Sequence, residues 1–296
     1  MSVDFNQLTK PQMVEEIDFE SLFLERKNDL IRLWPEDEQE NIAKLLTYES
    51  EPLVKLLEEN TYREMILRQR INQAALSTLL AFAKGSDLEA VVANYGITRL
   101  IVSPATEEKD AVYEKDEALR YRASLVFDSL SVAGPTSAYE FHSLSADGRV
   151  ADAKASSPAP AEALVTILQN DTTTGEATPE LVNLVQTYLS DDIRRPVADR
   201  LTVQSVEAVH FELVATVYTN NLPESDPLIS AAKAAVKDYF DESRRIGRSI
   251  YLSKIYNLLH VSGVVHVAIT SPVTDVEITQ TQVANCTNIT INAGEL

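Results

Sequence analysis

The chain has 296 residues, 45% of them hydrophobic, with 45 acidic against 26 basic side chains and a formal charge of −19. That length holds two or three domains with cores of their own, in a composition ordinary for a soluble globular protein. The acidic excess is spread along the chain, which argues against nucleic acid or an anionic membrane face as a partner, since both call for a concentrated basic surface.

The first hundred residues read as helical. Ile17, Leu22, Leu24, Ile31 and Leu33 recur loosely at helical spacing, and Pro35 stops the run. Pro52 is a first-turn proline behind Ser50, and the pattern predicts one long helix from there to about Lys84. Leu53, Leu57, Leu67, Ile71, Ala74, Thr78 and Phe82 share one face of it, while Tyr62, Met65, Ile66, Leu76 and Leu79 add a second apolar facet. Apolar residues on more than one face mean burial from several directions, as in a helical bundle. Gly85 ends this helix, and Ser86 with Glu89 forms a capping box for a short successor.

The middle region, from about residue 101 to 190, opens with a turn at Ser103-Pro104. A helix follows with Asp116, Glu117, Arg120 and Arg122 outward and Leu119, Leu125, Val126 and Leu130 inward. Gly134-Pro135 breaks it, and Ser137 with Glu140 caps the next helix, which carries Tyr139, Phe141 and Leu144. Residues 150–157 and 163–168 read as strands, with an Ala-, Ser- and Pro-rich loop between them. Thr178-Pro179 then opens a helix bearing Leu181, Leu184, Val185 and Leu189.

The last region, 191–296, begins after Asp191-Asp192 with strands at 201–206 and 208–218. In the second, Val209, Phe211, Leu213, Ala215 and Val217 alternate with His210, Glu212, Thr216 and Tyr218, the clearest two-residue period in the chain. A helix from Asp226-Pro227 buries Ile229, Ala232, Val236 and Phe240, and a second runs from Ser249 to Leu259. Strands at 264–269, 276–278 and 289–291 complete the region. The fold class is α+β: a helical amino-terminal region (1–100) followed by two small α+β domains.

Those two domains share a unit. "GPTSAYEFHSLSADGRVADAKASSPAP" from Gly134 and "GRSIYLSKIYNLLHVSGVVHVAITSPVTD" from Gly247 both read Ser-x-Tyr, amphipathic helix, Gly turn, strand, Ser-Pro. A repeated helix–strand unit with no catalytic grouping inside it points to assembly rather than chemistry.

The search for chemistry is nearly empty. There is no Gly-rich phosphate loop, G-x-S-x-G elbow, H-E-x-x-H or CxxC. His142, His210, His260 and His266 fall in different predicted elements, so no metal site and no cofactor are expected. Asp191-Asp192 and Glu107-Glu108 read as solvated pairs, and Trp34 reads as a packing anchor. The apolar runs, such as 261–269, fall short of a membrane span, and the start lacks the basic flank and apolar core of a signal peptide. Cys286 has no cysteine to pair with, and the sequons at Asn285 and Asn288 read as accidental. Arg244, Arg245 and Arg248 form a basic knot, read either as cations at a helix end or as an electropositive contact for an acidic partner. A hydrolase using Asp191, Asp192 or His210, and a monomeric binding module, are the rival classes.

The repeated units, the helix at Asp116–Arg122, "DRLTVQSVEAVHFELVATVYT", "GRSIYLSKIYNLL", "VSGVVHVAITSP" and "NYGITRL" near residue 100 together, and in order, resemble the baseplate J-like proteins of contractile-tailed phages. The resemblance covers nearly the whole chain. It implies a structural baseplate wedge protein, assembled in the host cytoplasm and retained in the virion, in a ring around the tail hub; a phage tail and a phage-derived tailocin fit equally. It also implies partners: an I-like wedge protein at the helical region, other copies of the chain at the carboxy-terminal domains, and further baseplate and hub proteins. On this reading Leu53, Leu57, Leu67 and Ile71 bury against helices of other subunits, and Arg244, Arg245 and Arg248 sit in ring contacts. Loops near Ser103-Pro104 and 191–196 are the hinge candidates.

Overall fold

The computed structural model describes residues 8–11, 17–106, 109–130, 135–219 and 225–294. The chain divides into two compact units, Met1–Thr98 and Arg99–Leu296.

The first unit is helical: α1 (Phe19–Arg32), α2 (Glu36–Leu45), α3 (Pro52–Ser77) and α4 (Gly85–Ala93). Asp18 caps α1 by accepting the Ser21 N–H at 2.9 Å. Hydrogen bonds from Ser21, side chain first, hold its carboxyl below the usual carboxylate range. Pro35 both stops α1 and occupies the N-cap of α2, a helix that the weak apolar pattern of 36–45 does not announce. Leu22, Leu46 and Val54 are buried, and Arg26 of α1 forms an ion pair with Glu64 of α3. Two details differ from expectation. Helix α3 stops at Ser77, with turns as far as Phe82, and α4 starts behind Lys84 rather than behind Ser86.

The second unit starts with a short hairpin, β1 (Ile101–Ser103) and β2 (Val112–Tyr113), where only a turn is expected. Then come α5 (Asp116–Ser124), a single 3-10 turn (Asp128–Leu130), α6 (Thr136–Ala146), β3 (Val150–Ser156), β4 (Glu162–Gln169), α7 (Pro179–Leu189) and β5 (Arg200–Ser205). The middle sheet has the order β3-β4-β5, with β3 antiparallel and β5 parallel to β4. Strand β5 therefore extends the middle sheet, although it follows the Asp191-Asp192 segment expected to open the last region. Helix α7 is the crossover between the two parallel strands. Thr178 caps it from its side chain, and Leu181, Val185 and Leu189 are buried.

The carboxy-terminal sheet comprises β6 (Glu207–Thr219), β7 (Val264–Ser271) and β8 (Gln282–Gly294), in the order β7-β6-β8. Its plan repeats that of the middle sheet, a central strand with one antiparallel and one parallel neighbour. Between β6 and β7 lie α8 (Ser225–Ser243) and α9 (Leu252–Leu259). Leu213, Ala215 and Val217 from β6 meet Ala232, Val236 and Phe240 of α8 and Ile255 and Leu259 of α9 in one core. The predicted alternation along β6 is thus the dry and wet sides of the sheet. Residues 289–291 are part of a strand of 13 residues, whereas Val276 makes only an isolated bridge to Ile250.

Two side chains of the middle region point the opposite way from the sequence reading. Arg122 is buried, because it pairs with Glu114 ahead of α5, and Leu130 is 75% exposed. Glu140 does not close a capping box with Ser137; Pro135 holds the N-cap position, and Glu140 accepts the Ala155 N–H of β3 at 3.3 Å. Glu107, Glu108 and Gly134 lie outside the described residues.

Candidate interaction surface

Position 3.6 residues per turn decides which faces of α3 are covered. Val54 and Thr61 point into the helical unit, Thr61 donating its hydroxyl to the Leu57 carbonyl at 2.7 Å. Leu53 and Leu57 lie beside that buried line and are half-covered. Leu67 and Ile71, one turn apart, are 61% and 66% exposed, and Ala74 continues their stripe in the open. The four predicted leucine and isoleucine positions are therefore split between a covered end and a bare end of α3. Leu24 on α1 and Leu33 at its end are also exposed. Scattered exposed apolar residues are normal, and Leu67 and Ile71 differ from them in sharing one face on consecutive turns.

The basic knot follows α8, and its three arginines have different surroundings. Arg244 is turned inward and donates to the carbonyls of Thr172 and Thr173, at 3.1 and 2.6 Å. Arg245 stands over the Tyr121 ring, with its guanidinium carbon 5.1 Å from the centroid. Arg248 is exposed and donates to the Glu242 carbonyl at 3.3 Å, the helix-end interaction a cation favours. The knot is thus partly an internal fastening and partly an exposed surface.

The remaining candidates for chemistry are held in local structure. Asp191 accepts the Ile193 N–H and pairs with Arg194 at 2.7 Å, while Asp192 is exposed. His210, on the wet side of β6, lies 3.1 Å from the Asn285 amide. His266 packs on Tyr218, and His260 ends α9. Burial first, then the Arg194 charge, push the His142 imidazole below its usual value. Burial pushes the Cys286 thiol up. Trp34 sits between α1 and α2, its carbonyl accepting from Gln39. Among the described residues no group of three or more His, Cys, Asp and Glu side chains could hold a metal ion, and no helix is long and apolar enough to cross a membrane.

Two buried carboxylates escaped the sequence reading. Glu114 and Arg122 border a small cleft of about 160 Å³, their side chains 8% and 5% exposed and 2.7 Å apart. Asp152 lies on β3, 7% exposed, and accepts the Ile246 N–H at 2.9 Å. The available signal for Asp152 was an aspartate inside a strand, a residue type strands disfavour.

The fold is a helical unit followed by two small α+β modules of like plan. Comparison with known proteins agrees. Residues 49–106 match the Baseplate J-like N-terminal domain, residues 131–205 the Baseplate J-like central domain, and residues 214–292 the Baseplate J-like protein C-terminal domain. The chain is also 46% identical over 296 residues to Baseplate protein J of Escherichia phage P2, covering 99% of this chain and 98% of that protein. The chain belongs to the baseplate J-like family, as a structural protein of the phage tail baseplate.

Proposed function

We propose that the chain is a wedge component of a contractile tail, forming with other copies of itself a ring around the hub, and that the helical unit joins it to an I-like wedge protein. Assembly takes place in the host cytoplasm, ahead of incorporation into the particle. The observation that carries this reading is the bare Leu67–Ile71 end of α3, which leaves apolar surface for helices from other subunits to cover. Truncation tests it. A chain beginning near Leu100 is expected to lose co-purification with the neighbouring wedge protein, and undiminished co-purification would overturn the assignment.

Ring contacts fall to the carboxy-terminal domain, where Arg245 and Arg248 are exposed on an otherwise acidic chain. Arg248→Glu is expected to reduce particle yield, with the deficit largest at low ionic strength, where screening is weakest. Arg244 and Arg245 are left out of this variant because the first is engaged by the Thr172 and Thr173 carbonyls and the second stands over the Tyr121 ring. Equal yields from both chains across a salt series would remove Arg248 from the contact.

A further inference from the structure

The segment just after α8 reaches across to the middle region at every one of its first three residues. Arg244 donates to the carbonyls of Thr172 and Thr173, in the loop after β4. The Arg245 guanidinium stands over Tyr121 of α5. Ile246 donates its N–H to Asp152 of β3 and buries its side chain with Leu168, Val206 and Val283, a small core drawn from both sheets. Gly175 is fitted to this crossing: at its φ of +87° a side chain is strained, and an added Cβ would lie 2.6 Å from Leu168 Cδ1 and 3.3 Å from Arg244 Nη2. The next residue turns back, Gly247 donating its N–H to Gln282 of β8 at 3.0 Å.

We propose that the Arg244–Ile246 strap is a clasp fastening the carboxy-terminal sheet to the middle sheet. Among the described residues, the Arg244 Nε and the neighbouring Ser243 hydroxyl are buried without a hydrogen-bond partner. Asp152 faces Tyr121 from α5, Glu140 from α6 and Arg245 from the strap. Lys154, further along β3, is paired with Glu140 at 3.3 Å. Burial dominates and pushes the Asp152 carboxyl above the ordinary value of 3.8, against the pull of the Ile246 N–H and the Arg245 charge.

Hydrogen exchange of the full chain, read at the Ile246 amide as a protection factor, tests it. Asp152→Asn, which keeps an acceptor oxygen, should hold the amide. Asp152→Ala should lower protection roughly tenfold, the loss of a hydrogen bond to a buried group. An Asp152→Ala chain that keeps its helix and strand content and its Ile246 protection would overturn the clasp. If that variant does not fold, Arg244→Gln is read at the Thr172–Thr174 amides, where unchanged protection counts against the clasp in the same way.

Discussion

A chain carrying Arg122→Met is expected to lose about 3–5 kcal/mol of stability in the Arg99–Leu296 unit, since the change strands a buried carboxylate. Arg122 donates to both oxygens of Glu114, at 3.1 and 2.7 Å, and the two side chains have almost no contact with solvent. Glu114 also accepts the Leu100 N–H at 3.2 Å, so its charge helps to organise the entry into the unit. Replacing both partners with apolar residues, as Glu114→Leu with Arg122→Met, should recover much of the loss, because a buried pair contributes little over apolar residues of similar volume while a lone buried charge is costly. Urea unfolding followed by circular dichroism measures the effect. A single-variant loss below about 1 kcal/mol would mean that water reaches Glu114 readily.

The second large effect concerns association rather than folding. Leu67→Glu with Ile71→Glu places two charges on the bare end of α3, where both native side chains are more than half exposed. The free chain should keep its thermal midpoint, as surface substitutions away from special features change stability by no more than about 0.5 kcal/mol. Affinity for the proposed I-like wedge partner should fall roughly a hundredfold or more if these residues are anchors at the centre of the contact. Titration of purified partner against both chains gives the answer, and equal affinities would move the contact elsewhere on the helical unit.

Regular burial was the part of this molecule easiest to read from sequence. The β6 alternation, the Thr178-Pro179 helix start and the apolar faces of α8 and α9 all come from local spacing, and the structure has each of them. What was hidden depends on partners distant along the chain. Arg122 looks like a solvated helix residue until Glu114, in the segment before the helix, comes round to meet it. Arg244 looks like a helix-end cation until its contacts appear more than 70 positions earlier, at Thr172 and Thr173. Val112 and Tyr113 make a strand of two residues, both exposed, which leaves no alternation to detect. The proposed contact residues on α3 were legible as apolar, but periodicity could not say which end of the helix its own neighbours would cover.

Gly148, in the turn ahead of β3, has no room for a side chain: a Cβ there would lie 2.4 Å from the Ile101 carbonyl oxygen. Ile101 is two residues beyond Arg99, whose guanidinium reaches Glu114 and, at 2.7 Å, Asp116. All of these groups belong to the Arg99–Leu296 unit, so its opening residues are pinned twice, by an ion pair at the root of α5 and by a close backbone approach in the turn ahead of β3.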